Sequence, residues 1–259
     1  MRANASARAE HIGGQTRLVE LRSDAPLVLR STPDALYLVG GAAGPLGGDD
    51  LSLDVVVGSS ACLAVRSAAA TLAQPGPGSA PSRATYRFEI GDGGSLDWRP
   101  EPLVSVRGSD HSIDTTVALS RSARLTLVDE LVLGRAGEAP GRIRVRCRVT
   151  REGAILLAHD LDLGPGSPAW DGAAVMGGAR ALISMLRVGP DAPTTASVIL
   201  NADDGTRAAW MPLAHEAALL LAIGPTLLAT RRTAGSAMGS VGVLQVSTPV
   251  KHQQNEYSG

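Results

Sequence analysis

Gly40-Gly41-Ala42-Ala43-Gly44-Pro45-Leu46-Gly47-Gly48-Asp49-Asp50-Leu51-Ser52-Leu53-Asp54-Val55-Val56-Val57 joins a glycine-dense turn to an alternating apolar run. Glycine gives the backbone positive φ and close approach to a neighbour, and Pro45 fixes one more angle. Leu51, Leu53, Val55 and Val57 fall on alternate positions, as in a strand with one buried face. Ahead of the turn, Leu36-Tyr37-Leu38-Val39 reads as the strand that feeds it. Two strands thus meet at a loop carrying the adjacent carboxylates Asp49 and Asp50. The loop is not a phosphate-binding one: it has no Gly-Lys-Ser/Thr ending, and a strand follows where a helix N-terminus would stand.

Working outward, the same texture recurs. Leu18-Val19-Glu20-Leu21 and Leu27-Val28-Leu29 read as strands split by Asp24-Ala25-Pro26. Ala61-Cys62-Leu63-Ala64-Val65-Arg66 follows, and Ala84-Thr85-Tyr86-Arg87-Phe88-Glu89-Ile90 alternates with Tyr86, Phe88 and Ile90 inward. The runs Ile113 to Leu119 and Ala123 to Val128 continue the series. In Arg142-Ile143-Arg144-Val145-Arg146-Cys147-Arg148-Val149 the arginines share one face, which suits either solvent or an acidic partner surface. Residues 1–15 are polar and read as a flexible arm, 16–246 as a single β-rich domain, and 247–259 as a disordered tail. The Pro/Gly/Ser-rich stretch 73–83 reads as a mobile loop within that domain. Val175 to Val188 and Ser197 to Leu200 fit strand or helix equally. Met211 to Ala222, with Pro212 suited to a first turn and Gly224-Pro225 beyond it, is the best helix candidate.

Composition narrows the class. Hydrophobic residues make 44% of the 259-residue chain but aromatics only 3%, so the core must be built from Val, Leu, Ile and Ala. Thirty glycines and 16 prolines suit many short strands. A net charge of −1 offers no electrostatic case for nucleic acid or an acidic membrane surface. No apolar stretch resembles a secretory signal or a membrane span, and Cys62 and Cys147 read as free core thiols. A cytoplasmic protein is expected.

Chemistry is thin. The five histidines are dispersed, with no metal-ligand spacing, and no Gly-x-Ser-x-Gly elbow is present. Carboxylates for a hydrolase acting on carbohydrate can be nominated from Asp49, Asp50, Glu101, Asp129 and Glu130, but the aromatic platforms such a cleft needs are scarce. Asp49 after two glycines, Glu101 between two prolines and Glu130 ahead of Gly134-Arg135 suit weak contact with a divalent cation, or equally turn caps and ion pairs.

Four pieces, in order, carry a resemblance. The stretch from Tyr37 to Val55, with its Leu46-Gly47-Gly48-Asp49, resembles the signature of the urease accessory protein UreD (UreH) family. Ala68-Ala69-Ala70-Thr71, Gly94 to Pro102 with Trp98, and Glu130-Leu131-Val132-Leu133-Gly134-Arg135 are similar to later segments of that family. The family's Asn-Pro-Gly-Gly-Gly stands here as Gly40-Gly41-Ala42-Ala43-Gly44, its Lys after Ala-Ala-Thr as Leu72, and its Gly-Glu after Gly-Arg is displaced to Glu138. The resemblance implies a mainly β fold, two stacked sheets with a helical, β-helix-like winding and one or two α-helices toward the C-terminal half. It implies a non-enzymatic scaffold that binds apo-urease, a UreF-type accessory protein and, through it, a UreG-type GTPase. Such a scaffold holds no tight cofactor and handles nickel transiently. By motif match Asp49, Glu101 and Glu130 are the candidates for lining a nickel path. Gly47, Gly48, Gly134 and Arg135 are candidates for holding the backbone around it.

Overall fold

The computed structural model describes residues 1–42, 44–194 and 196–241. Strand β1 (Arg2–Ile12) turns at Gly13-Gly14 into β2 (Gln15–Arg22), and β3 (Leu27–Ser31) pairs with β4 (Leu36–Gly40). Three units of one plan follow, each a long strand, a four-residue turn and a strand in the facing sheet. The first is β5 (Asp50–Val57), β6 (Cys62–Ser67) and the short β7 (Thr71–Ala73). The second is β8 (Ser82–Ile90), β9 (Ser95–Arg99) and β10 (Leu103–Ser105); the third is β11 (Asp110–Leu119) and β12 (Arg124–Leu133). The chain closes with β13 (Arg142–Arg151), β14 (Ala154–Leu163), β15 (Ala181–Val188), β16 (Val198–Asn201), β17 (Arg207–Leu213), β18 (Ala217–Gly224) and helix α1 (Leu227–Ser240).

The strands build a seven-stranded sheet in the order β14-β13-β11-β8-β5-β1-β2. The facing eleven-stranded sheet runs β16-β17-β18-β15-β12-β9-β6-β4-β3, with β7 and β10 beside β12. Equivalent strands of successive units stack in parallel, so the chain winds like a β-helix between two antiparallel ends. The turns stack as well. The Gly91 amide donates to the Val57 carbonyl at 2.8 Å and the Ser120 amide to the Ile90 carbonyl at 2.9 Å. A Cβ on Gly94 would fall 2.8 Å from the Gly58 carbonyl oxygen, which explains the glycines at this corner.

Parallel register places like positions in rows. Val55, Phe88, Val117 and Val149 form one, and Leu63, Leu96 and Leu125 another on the facing sheet. The scarce aromatics are concentrated: Trp98 packs 4.9 Å from Phe88 and 5.1 Å from Tyr86, ring centre to ring centre. A separate apolar layer on the outer face of the larger sheet, including Val128, Met185, Trp210 and Leu220, lies under α1.

Three expectations are corrected. Residues 2–12 are no arm: β1 sits inside the seven-stranded sheet between β5 and β2, with Ala3, Ala5, Ala7 and Ala9 buried. Small inward alanines give little hydrophobic signal, so the alternation was invisible. Met211 to Ala222 is no helix but parts of β17 and β18. β18 is covered on both faces, by the core and by α1, so it reads as a continuous Ala/Leu run without a strand period. Pro212 is tolerated because β16 pairs β17 only as far as Trp210. Cys62 is exposed, while Cys147 is buried as expected. Between β7 and β8 the chain stays tied to the winding through a Leu46–Gln74 bridge and a 3-10 turn at Pro77–Ser79. The expected tail at 247–259 lies outside the described residues.

Candidate functional site

The glycine-dense turn, the Ala-Ala-Ala-Thr segment and the inward faces of β8 and β11 meet at one place. They enclose a cavity of about 330 Å³ between the sheets. Gly40, Ala42, Gly44 and the Ala68–Leu72 stretch frame it, while Leu51, Ala84 and Leu103 wall it and His111 is wholly buried behind them. The turn is locked to the chain before β8. Gly47 donates its amide to the Gln74 carbonyl at 3.0 Å and Gly48 to that of Pro81 at 3.2 Å. A Cβ on Gly47 would lie 2.5 Å from the Ala80 oxygen and 2.5 Å from the Gly76 nitrogen, and Gly48 has φ +90°. Both glycines of the signature are therefore required by the backbone.

Sheet register sets Asp49, Ser82 and His111 side by side in one inward row across the starts of β5, β8 and β11. Ser82 Oγ and His111 Nδ1 are 2.8 Å apart, and His111 Nε2 is buried with no partner. Burial pushes the imidazole down to about 4, aided by the Arg144 charge and opposed by Asp49, so the ring is neutral at pH 7. Asp49 accepts from the Met1 ammonium at 2.7 Å and from the Leu46 amide at 2.8 Å. Its burial acts to raise the carboxyl, but those hydrogen bonds and the ammonium charge outweigh it and hold Asp49 below the usual range.

A second polar node lies deeper between the sheets. Asp129 of β12 lines a narrow void of about 10 Å³ with Cys147, His159 and Ser184. Although some of its surface opens to that gap, protein packs densely around it, and burial raises its carboxyl to about 6. Burial, with the Asp129 charge second, pushes the Cys147 thiol and the Tyr86 hydroxyl up to about 12.

The sequence-nominated carboxylates do not converge. Asp49 belongs to the cavity row, whereas Glu130, next to Asp129 on β12, points to the opposite face as strand geometry demands. There Arg231 of α1 donates from Nε to both Glu130 oxygens at 2.9 and 3.0 Å, and its Nη2 lies 3.5 Å from Glu101. Glu101 and Glu130 are thus brought together, by an arginine. Gly134, at φ +77°, opens the turn after β12, where a Cβ would meet the Glu138 carbonyl at 2.7 Å. Arg135 closes that turn with two hydrogen bonds, at 2.9 and 3.1 Å, to the displaced Glu138. No group of three His, Cys, Asp or Glu among the described residues is arranged to hold a metal ion. The carboxylates nominated for hydrolysis likewise form no pair across a cleft.

Three of the four arginines on the face of β13 are answered by its own neighbours. Arg142 binds Asp162 at 2.6 Å, Arg144 binds Asp110 at 2.7 Å, and Arg146 lies 3.0 Å from Asp160 and 3.4 Å from Asp114. For these three, acidic residues of β11 and β14 meet the charge that an acidic partner surface would otherwise answer.

Sequence reasoning missed His111 and Ser82 because it began their strands at Ile113 and Ala84, three and two residues late. Extending each alternation backwards, Ile113 to His111 and Ala84 to Ser82, puts both on the buried face.

Comparison with known proteins agrees with the motifs. Residues 1–241 match the family model described as UreD urease accessory protein. A Frankia casuarinae protein named urease accessory protein UreD is 43% identical, over 88% of this chain and 83% of its own. A Streptomyces avermitilis protein of the same name is 39% identical, over 93% and 96%. One from Streptomyces coelicolor is 40% identical, over 92% and 95%. With the winding, the signature glycines and these relatives in agreement, the chain belongs to the UreD family of urease accessory proteins, which places it in urease maturation.

Proposed function

We propose that this chain is a non-catalytic cytoplasmic scaffold that binds apo-urease and a UreF-type protein, and through the latter a UreG-type GTPase. In that complex it assists insertion of nickel, which is cargo and not a resident cofactor. One observation carries the reading: two of the four segments that resemble the family, the glycine-dense turn and Ala68-Ala69-Ala70-Thr71, meet at a single inter-sheet cavity backed by the buried His111. Asp49 acts there through its charge, since both its oxygens already accept hydrogen bonds. Glu101 and Glu130 join a nickel path only where Arg231 releases them. Gly47, Gly48, Gly134 and Arg135 hold the surrounding turns.

The test is urease activity in a reporter cell carrying the structural genes and the other accessory genes. Wild type restores activity over a strain without this chain. Asp49→Ala lowers activation while the variant still co-purifies with the UreF-type protein. Failure of wild type to restore activity, together with failure to capture either urease or the UreF-type protein, overturns the proposal.

A further inference from the structure

The outer face of the larger sheet is divided. Helix α1 packs over β15, β16, β17 and β18, while the outward residues of β3, β4, β6 and β9 form a second, basic half. Register aligns Arg99, Arg66, Tyr37 and Arg30 in one row across β9, β6, β4 and β3. In the adjoining row Arg187 of β15 and Asp97 of β9 flank Thr126 of β12. Asp97 is the only acidic residue in β3, β4, β6 and β9. It is already held by Arg66 Nη2 and Arg99 Nε, at 2.6 Å each. Arg30 reaches only the Leu29 carbonyl, at 3.2 Å, and Arg187 has no ion pair among the described residues. The β13 ladder differs, since three of its four arginines meet carboxylates of neighbouring strands.

Half-buried Arg187 is the informative group. Burial, with the Arg99 charge second, holds its guanidinium below the usual arginine range against the pull of Asp191 and Asp97. A cation kept there without a counter-ion costs stability that an incoming anion recovers. Asp97 displays the chemistry that fits, a carboxylate gripped by two guanidinium forks. A nucleic acid suits the face less well. Tyr37 is the one aromatic side chain on the outward positions of β3, β4, β6 and β9, and Asp97 repels a phosphate chain. Strands step by about 4.8 Å, so the five steps from β15 to β3 spread the guanidiniums over about 24 Å, the reach of about seven extended residues.

We propose that this half of the outer face is a docking surface for an extended acidic segment of a protein partner, which crosses the strands and presents carboxylates to Arg30, Arg99 and Arg187. The inference rests on the scaffold reading and adds to it a surface and the charge of the segment that fits. Long-range attraction steers the segment to the row, and the forks of Arg99 and Arg30, with Tyr37 between them, fix its direction.

Cys62 serves as a built-in reporter, because it is exposed on β6 beside this row while Cys147 is buried. The full chain, labelled at Cys62 with a neutral maleimide dye, is titrated with a peptide of alternating Glu and Thr about ten residues long. The expected result is a saturable change in dye anisotropy that weakens as salt rises and is absent with the Gln-Thr peptide. Arg30→Gln with Arg187→Gln weakens binding about tenfold, whereas Arg146→Gln with Arg148→Gln, an equal loss of charge on the other sheet, leaves it unchanged. Arg30→Gln alone, at an exposed position, carries the test if the double variant melts early. No binding of the Glu peptide, equal weakening by the two double variants, or tighter binding of an RNA oligonucleotide or of anionic vesicles overturns the proposal. Capture of urease and of the UreF-type protein is measured on the same variants. Capture of both unchanged in Arg30→Gln with Arg187→Gln, with peptide binding lost, likewise overturns it. A wild-type chain that binds the peptide but captures neither protein counts against the scaffold reading and leaves the acidic-segment surface standing.

Discussion

Arg231 of helix α1 reaches back 101 residues to grip both carboxylate oxygens of Glu130 on β12. The pair fastens the one helix among the described residues to the larger sheet. Its two ends differ: the Glu130 side chain is 11% exposed and that of Arg231 47%. Arg231→Ala leaves a nearly buried carboxylate unpaired, at a cost of about 2 kcal/mol, whereas Glu130→Ala leaves an arginine that water can reach, at about 1 kcal/mol. Urea unfolding of both variants and of the double variant measures the difference. Equal losses would show that the pair has no buried end.

Gly47→Ala drives a methyl group into two backbone atoms at 2.5 Å. Neither can swing aside, so we expect a loss of about 1–3 kcal/mol and a loosened contact between the turn and the chain before β8. Gly239→Ala is the matched control, since its Cβ meets nothing within 4 Å and it lies in α1. Helix propensity then favours alanine by up to about 1 kcal/mol. Thermal melts of the two variants should move in opposite directions.

Asp129 gives a pH signature. Its carboxyl is at about 6 in the folded chain against an ordinary 3.8. Between these values the folded state binds more protons than the unfolded one, so this group's contribution falls as pH rises from about 4 to about 6 and then stays flat. Asp129→Asn removes that slope and is more stable than the parent above pH 7 by roughly 1–3 kcal/mol. Facing Asp129 across the gap are Cys147 and His159, with Tyr86 close by. Burial keeps the thiol and the phenol protonated, and burial lowers His159 against the pull of Asp160. His111, depressed to about 4 from 6.5, contributes in the opposite sense: stability lost as pH falls from about 6.5 to 4. Subtracting the parent's urea titration from that of Asp129→Asn isolates the carboxylate. A difference independent of pH would contradict the burial seen for it.

Removing one charge of the β13 ladder should matter little. The Arg146 side chain is 66% exposed, and Arg146→Ala is expected to cost under about 1 kcal/mol and less at high salt. Capture of urease and the UreF-type protein should be unchanged, because Arg146 already has counter-charges in Asp114 and Asp160. Loss of capture would show that the arginines serve a partner after all.

The repeated strand-turn plan was legible because residues such as Leu51, Leu53, Val55 and Val57 alternate against solvent-facing neighbours. Where both faces are covered, as in β18, or where the inward residues are alanines, as in β1, the period vanished. The candidate site was only half legible. Asp49 was marked by its glycines, but local spacing holds nothing to say that it shares a row with Ser82 and His111, a relation created by parallel register across 60 residues. For Glu101 and Glu130 cation contact and ion pairing both stayed open in the sequence, because the arginine that pairs with them comes from a helix far along the chain.

The place of β1 sets an order of events during synthesis. It pairs in parallel with β5 from Arg2↔Asp50 to Ala9↔Val57, so β1 has no seat beside β5 until the chain has grown past residue 57. Until then it can only lie against β2, its antiparallel neighbour, with its inward alanines exposed. The β1–β2 hairpin is therefore made well before its seat, and a ribosome pause or an insertion that delays residues 50–57 leaves an open parallel edge at a vulnerable moment.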